Sequence, residues 1–150
     1  MPNTYVSLHY HSVFSTKHRE LWITEDIEDR IWAYVAGIAG QHEMEALAVG
    51  GLDDHLHVVV GIPSTMPVSR AVQLLKGGSS RWIRQTFPEL EAFGWQEGYG
   101  AFTVSKSALP ATISYVERQR ERHQARSFQE EFRALLDRHD ITYDERYLWT

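Results

Sequence analysis

His55 and His57 stand two residues apart in the run His55-Leu56-His57-Val58-Val59-Val60. In an extended strand that spacing sends both imidazoles to one face and Leu56, Val58 and Val60 to the other. Two imidazoles on a common face begin a metal site but do not complete one, and so short a pattern equally describes two surface histidines on a half-exposed strand. His9 and His11 repeat the spacing, so spacing alone singles out neither pair. Were their strand to lie beside the other, His11 would be placed to orient its neighbour. Tyr115 and Gln119 are four apart and share a helical face, with Arg118, Arg122 and His123 close by. The chain has no cysteine, which removes disulfides, thiolate metal sites and a thiol nucleophile together. Tyrosine is then the best remaining nucleophile. Its phenol, with an ordinary pKa of about 10, needs a base or a nearby cation before it can attack a phosphodiester. The plain alternative is a tyrosine at the core edge and a glutamine in water.

The net charge is −5, from 15 basic and 20 acidic residues, yet the basic residues are unevenly placed. Arg70, Lys76, Arg81 and Arg84 follow one another with no acid between them, and Arg118, Arg120, Arg122 and Arg126 outnumber Glu117 and Glu121. Such runs commonly mark a solvated face, but they are also what a local phosphate-binding groove on an acidic protein requires. Trp82, Phe93, Trp95, Tyr99 and Phe102 are able to stack on unpaired bases or to anchor core and loops. Gly77-Gly78-Ser79-Ser80 either lets a nucleic-acid backbone approach closely or breaks a helix.

The elements that must position these groups follow from periodicity. Residues 4–15 are β-branched and aromatic and read as a strand entering a turn at Lys17-His18-Arg19. Thr24 is an N-cap candidate for a helix carrying Ile27, Ile31, Tyr34, Val35 and Ile38 and ending near Gly40. Residues 45–50 and 56–62 form a hairpin about Gly51-Leu52-Asp53-Asp54. A second helix follows Pro67, with Gly77-Gly78 as a possible interruption, and a fourth strand covers Ala101 to Ser105. Ser107 is placed to cap a helix holding Tyr115 and Gln119, and a last helix runs from about Phe128 to Asp137. Strand, helix, strand, strand, helix, strand is the split-βαβ or ferredoxin-like order: an α+β fold with an antiparallel sheet, helices on one face and added C-terminal helices carrying Tyr115.

A chain of 150 residues with 43% hydrophobic and 23% charged content fits one globular domain over 1–150. Its apolar runs are far shorter than the roughly 20 residues of a membrane helix, and the N-terminus lacks a basic segment followed by an apolar stretch. The expectation is a cytoplasmic protein.

Taken in order, the segments resemble the small single-tyrosine transposases of bacterial and archaeal insertion sequences, members of the HUH endonuclease superfamily. The resemblance rests on Tyr10 to Lys17 with Arg19, Asp53 to Val60, and Leu75 to Arg81. It continues through Trp95 to Ser105, Tyr115 to Gln119 with His123, and Phe128 to Phe132. It implies that His55, His57 and Gln119 bind a divalent metal, Mg²⁺ or Mn²⁺, and that Tyr115 is the nucleophile. Cleavage of single-stranded DNA through a 5′-phosphotyrosine link, with release of a 3′-hydroxyl, would follow. It further implies hairpin binding, a homodimer in which the tyrosine helix of one subunit completes the other's site, and residence with prokaryotic nucleoid DNA. Lys17, Arg19, Arg70, Lys76, Ser79, Ser80, Arg81, Arg84 and Arg122 are the expected DNA contacts. Two positions depart from the family's habit, Gln124 where a second histidine is common and Arg118 where asparagine is common, and no role is carried to either. Three readings stay open: an active or domesticated transposase such as a REP-associated one, a nuclease in which water attacks, and a nucleic-acid-binding module without catalysis.

Overall fold

The computed structural model describes residues 3–122 and 126–150, with the side chain of Arg122 outside the description. His123 and Gln124 therefore lie outside the described residues. Four strands, β1 (His9–Ser15), β2 (Glu45–Leu52), β3 (His55–Gly61) and β4 (Gly100–Thr103), form one antiparallel sheet in the order β2-β3-β1-β4. With α1 (Glu25–Gln41) between β1 and β2 and α2 (Val68–Thr86) between β3 and β4, this is the ferredoxin-like order expected. The chain then adds α3 (Leu109–Glu117), α4 (Gln119–Arg122) and α5 (Phe128–Arg138).

The sheet is covered on both faces, and alternation along each strand decides which residue meets which cover. Phe14, Leu56, Val58 and Val60 enter the larger core with Ile31, Val35 and Ile38 of α1 and Val72, Leu75 and Ile83 of α2. On the other face Val59 and Ala48 pack against Leu109 and Val116 of α3. Val13 and Phe102 pack there against Phe128, Phe132, Leu135 and Leu136 of α5. The half-exposed strand considered for His55 and His57 is thus replaced by a fully enclosed one, and both histidines have no solvent exposure.

The register explains how two helices come close enough to enclose them. Gly50, His57, Val13 and Gly100 face one another across the four strands. A Cβ on Gly50 would stand 2.1 Å from the Val116 carbonyl oxygen, and one on Gly100 would stand 2.7 Å from Phe132. The two ends of this row must lack side chains for α3 and α5 to settle on either side of His57.

Several local expectations are corrected. The first strand begins at His9, not near residue 4, and the hairpin turn is confined to Asp53-Asp54 because β2 runs through Leu52. α2 is not interrupted at its glycines: Gly78 faces Ile38, and a Cβ there would lie 2.9 Å from that side chain, so it marks a close helix crossing. Ser107 does not cap the tyrosine helix. It lies in a 3-10 turn, its hydroxyl 3.2 Å from that of Ser105, and α3 starts on Leu109-Pro110. Tyr115 and Gln119 do not share one uninterrupted helix either, since α3 ends at Glu117 and Arg118 leaves helical geometry before α4.

Candidate active site

His55 and His57 project from the centre of the sheet, each held through Nδ1 by a neighbour. His55 Nδ1 lies 2.7 Å from Asp54 Oδ1 in the hairpin turn, and His57 Nδ1 lies 2.7 Å from His11 Nε2 on β1. His11 is thus the orienting neighbour that the strand adjacency allowed. Burial, reinforced by His57 beside it, pulls the His11 pKa down to about 3, so this imidazole stays neutral. Both Nε2 atoms of the pair turn toward one point beneath the C-terminal helices.

Two side chains meet them there. Gln119 Oε1 lies 3.0 Å from His55 Nε2. Glu131 Oε1 lies 2.9 Å from His57 Nε2 and 3.4 Å from His55 Nε2. Gln119 and Glu131 are both buried, at 1% and 2% exposure. The second carboxylate oxygen of Glu131 accepts from Gln119 Nε2 at 3.2 Å and from the Tyr115 hydroxyl. One carboxylate therefore joins the histidine pair to the tyrosine. Burial above all, then the charge of Glu131 and its hydrogen bond, pushes the Tyr115 pKa above its ordinary value. The phenol as placed is protonated, with its proton directed at a carboxylate.

His55, His57 and Glu131 could hold a metal ion, each offering a ligand atom within 4.8 Å of the others. The donor chemistry fits such an occupant. A neutral imidazole has one N–H, yet His55 has Asp54 Oδ1 at one nitrogen and Gln119 Oε1 and Glu131 Oε1 at the other. His55, His57 and Glu131 would hold a cation at the Nε2 side, which would satisfy the converging lone pairs, and the Nδ1 protons would then be donated to Asp54 and His11, fixing both ring orientations from the next layer out. Glu131 is the residue the sequence reading passed over. Its signal was an acid at the i+3 position of the apolar stripe Phe128, Phe132, Leu135, Leu136.

The expected DNA contacts are scattered. Lys17, Arg70, Arg81 and Arg84 are exposed, with Arg84 donating to the Phe93 carbonyl at 3.2 Å. Arg19 lies over the Trp149 ring at 5.3 Å. Ser80 is half-buried and bonds the Gly77 carbonyl, and Ser79 is buried, donating to the Leu75 carbonyl and accepting from Trp95 Nε1. Lys76 donates to the carbonyls of Gln96, Glu97 and Gly98, and burial lowers its pKa to about 8. In this geometry Ser79 and Lys76 fasten the loop 93–99 to α2 and leave little for a phosphate. Arg120, from the other basic stretch, bridges Glu28 and Asp53 at 2.7 and 3.0 Å and pins α4 to α1 and the hairpin turn.

Comparison with known proteins adds to this geometry. A curated relative, the ISDra2 transposase TnpA of Deinococcus radiodurans, is 25% identical over 120 residues, covering 77% of this chain and 86% of the relative. A crystal structure of a Deinococcus radiodurans R1 protein described as a transposase superposes with a TM-score of 0.65 at 26% identity, over 79% of this chain and 96% of the other. A REP-associated tyrosine transposase bound to a REP hairpin superposes with a TM-score of 0.54 at 11% identity, over 77% of this chain and 70% of the other, a likeness of fold. The sequence model of the family described as transposase IS200 like matches residues 4–119. With its enclosed histidine pair and neighbouring tyrosine, this chain belongs to the IS200-like transposase family.

Proposed function

We propose that this chain cleaves and rejoins single-stranded DNA near hairpins, with Tyr115 as nucleophile and a divalent metal held by His55, His57, Glu131 and Gln119. The convergence of those four side chains on one point, with the Tyr115 hydroxyl bonded to Glu131, carries the reading. Mg²⁺ or Mn²⁺ suits a donor set of imidazoles, an amide and a carboxylate. Bound there, it supplies Lewis-acid polarisation of a scissile phosphate oxygen. Tyr115 forms the bond to phosphorus while passing its proton to Glu131, and the bond to the 3′-oxygen breaks, that oxygen taking up a proton from solvent water while Glu131 returns its own to solvent. A 5′-phosphotyrosine and a 3′-hydroxyl result, and the reverse attack by another 3′-hydroxyl rejoins strands without an external energy source. Hairpin recognition is supported by the REP hairpin bound to the structural relative, and Lys17, Arg19, Arg70, Arg81, Arg84 and Arg122 are the basic residues offered for it. Tyr115 stands beside the histidines of its own chain, which supports a site assembled in cis.

The test is incubation of the purified chain with a single-stranded hairpin oligonucleotide and Mg²⁺ or Mn²⁺, followed by denaturing electrophoresis. A covalent protein–DNA band that disappears in Tyr115→Phe and in His57→Ala is expected. Absence of the band with the unaltered chain points to a binding module. Cleavage that survives Tyr115→Phe but not His57→Ala assigns the attack to water.

A further inference from the structure

Of the two basic stretches read in the sequence, Arg126 reaches the surroundings of Tyr115, where Arg138 and His139, from outside both stretches, join it. A cleft of about 680 Å³ opens between α3, α5 and β4, with Tyr115 and Thr112 on one side, Arg126, Arg138 and His139 on the other, and Phe102 at its base. No aspartate or glutamate is among the described residues that line it, although the chain carries 20 acids against 15 basic residues. Arg126 and Arg138 bracket α5 and are both exposed. The His139 ring stacks on Phe102 with centroids 4.6 Å apart and planes 19° from parallel, and His139 itself is exposed. The cleft thus holds a flat aromatic surface and two guanidinium groups, in a cavity of the size class that encloses a drug-sized ligand, the scale of a short stretch of nucleotides.

We infer that this cleft is the binding track for the unpaired DNA segment adjoining the scissile phosphate, with Arg126 and Arg138 on separate phosphates of that strand and a base stacked on the His139–Phe102 pair. The inference rests on the proposed reaction at Tyr115 and adds the route by which the strand reaches it. Phosphates need guanidinium partners in a region free of carboxylates, and unpaired bases need a π-surface; the cleft supplies both beside the nucleophile. A cavity against α2, about 380 Å³, is less suited because Glu97 lines it and its lysine, Lys76, is committed to three carbonyls.

The experiment is fluorescence anisotropy of a labelled oligothymidylate with the full chain in EDTA, over a range of salt. Arg126→Ala and Arg138→Ala are each expected to weaken binding about fivefold to tenfold and to reduce the slope of log K against log salt by about 0.7, the change for one single-strand phosphate contact. Arg138→Lys should keep the slope, and His139→Ala should cost about fivefold or more without changing it. Arg146→Ala, which removes an exposed guanidinium paired with Asp144, should bind like the unaltered chain. Affinities within twofold and unchanged slopes for both Arg126→Ala and Arg138→Ala overturn the inference, as does an equal loss in Arg146→Ala. The two readings separate cleanly. A tyrosine-dependent adduct with arginine-independent oligothymidylate binding removes the track and leaves the reaction, whereas the converse removes the reaction and leaves the track.

Discussion

Replacing Glu131 by glutamine keeps the volume and removes one charge, so it tests whether this carboxylate serves both the metal and the tyrosine. Its Oε1 lies 2.9 Å from His57 Nε2 and its Oε2 accepts from Tyr115. Losing an outer-layer partner of a metal ligand costs 10- to 100-fold in metal affinity, so for an oxygen among the ligands themselves about 100-fold is a reasonable floor. At a Mn²⁺ concentration of about 100 Kd, linkage stabilises the unaltered chain by about 2.7 kcal/mol. A Kd raised about 100-fold leaves about 0.4 kcal/mol under the same conditions. At about 2–4 °C per kcal/mol for a domain of this size, the metal-induced rise in Tm falls from about 5–11 °C to about 1–2 °C. Loss of the proton acceptor should also slow adduct formation by about 10²–10⁴-fold. Differential scanning fluorimetry with and without Mn²⁺, and single-turnover adduct formation on a denaturing gel, measure the two effects separately. The metal-free Tm reports folding, since glutamine can still hydrogen-bond there. A Glu131→Gln protein that keeps both the full Mn²⁺ shift and an adduct rate within twofold refutes the reasoning.

Mixing Tyr115→Phe with His57→Ala tests the cis arrangement: no adduct is expected from the mixture, and recovery of activity would show that a second subunit supplies the tyrosine. Gly50→Ala would place a Cβ 2.1 Å from the Val116 carbonyl oxygen, so α3 must shift. A loss of about 1–3 kcal/mol in urea denaturation and a larger loss of adduct than of DNA binding are expected, and a neutral result would contradict the packing described. Lys76 gives a pH signature. Its pKa falls to about 8 on folding through burial, so between about pH 8 and the unfolded value the unfolded chain binds more protons. Stability relative to Lys76→Met should therefore rise with pH across that window. Urea midpoints at both ends of the window check the sign, and a fall would reverse the assignment.

That His55 and His57 share a face was legible because it rests on short-range alternation, which splits them from Leu56 whatever covers them. The sheet order followed from the order of strands and helices, while the choice of this pair over His9 and His11 came from the family resemblance. What covers the histidines was not legible. Val59 shares the histidine face and joins the α3 core, but an apolar run reads the same whether one face or both are buried. The missed groups share a cause. Glu131 sits on an apolar stripe, where an acid looks like an irregularity until a partner is known. Ser79 and Lys76 sit in a polar stretch that resembles a phosphate site, yet their bonds go to residues of the loop 93–98 and to α2 itself. Gly78 reads as a helix breaker because its partner, Ile38, lies on another helix.

The family match ends at residue 119, and Glu131 lies twelve residues beyond it. The matched stretch contributes two imidazoles and an amide to the proposed centre, a set with no formal charge. The following helix makes that set monoanionic. In the proposed centre, ion preference would therefore turn on the C-terminal segment: an added carboxylate favours hard cations such as Mg²⁺, and a neutral nitrogen-rich set leans toward Mn²⁺ and later transition ions.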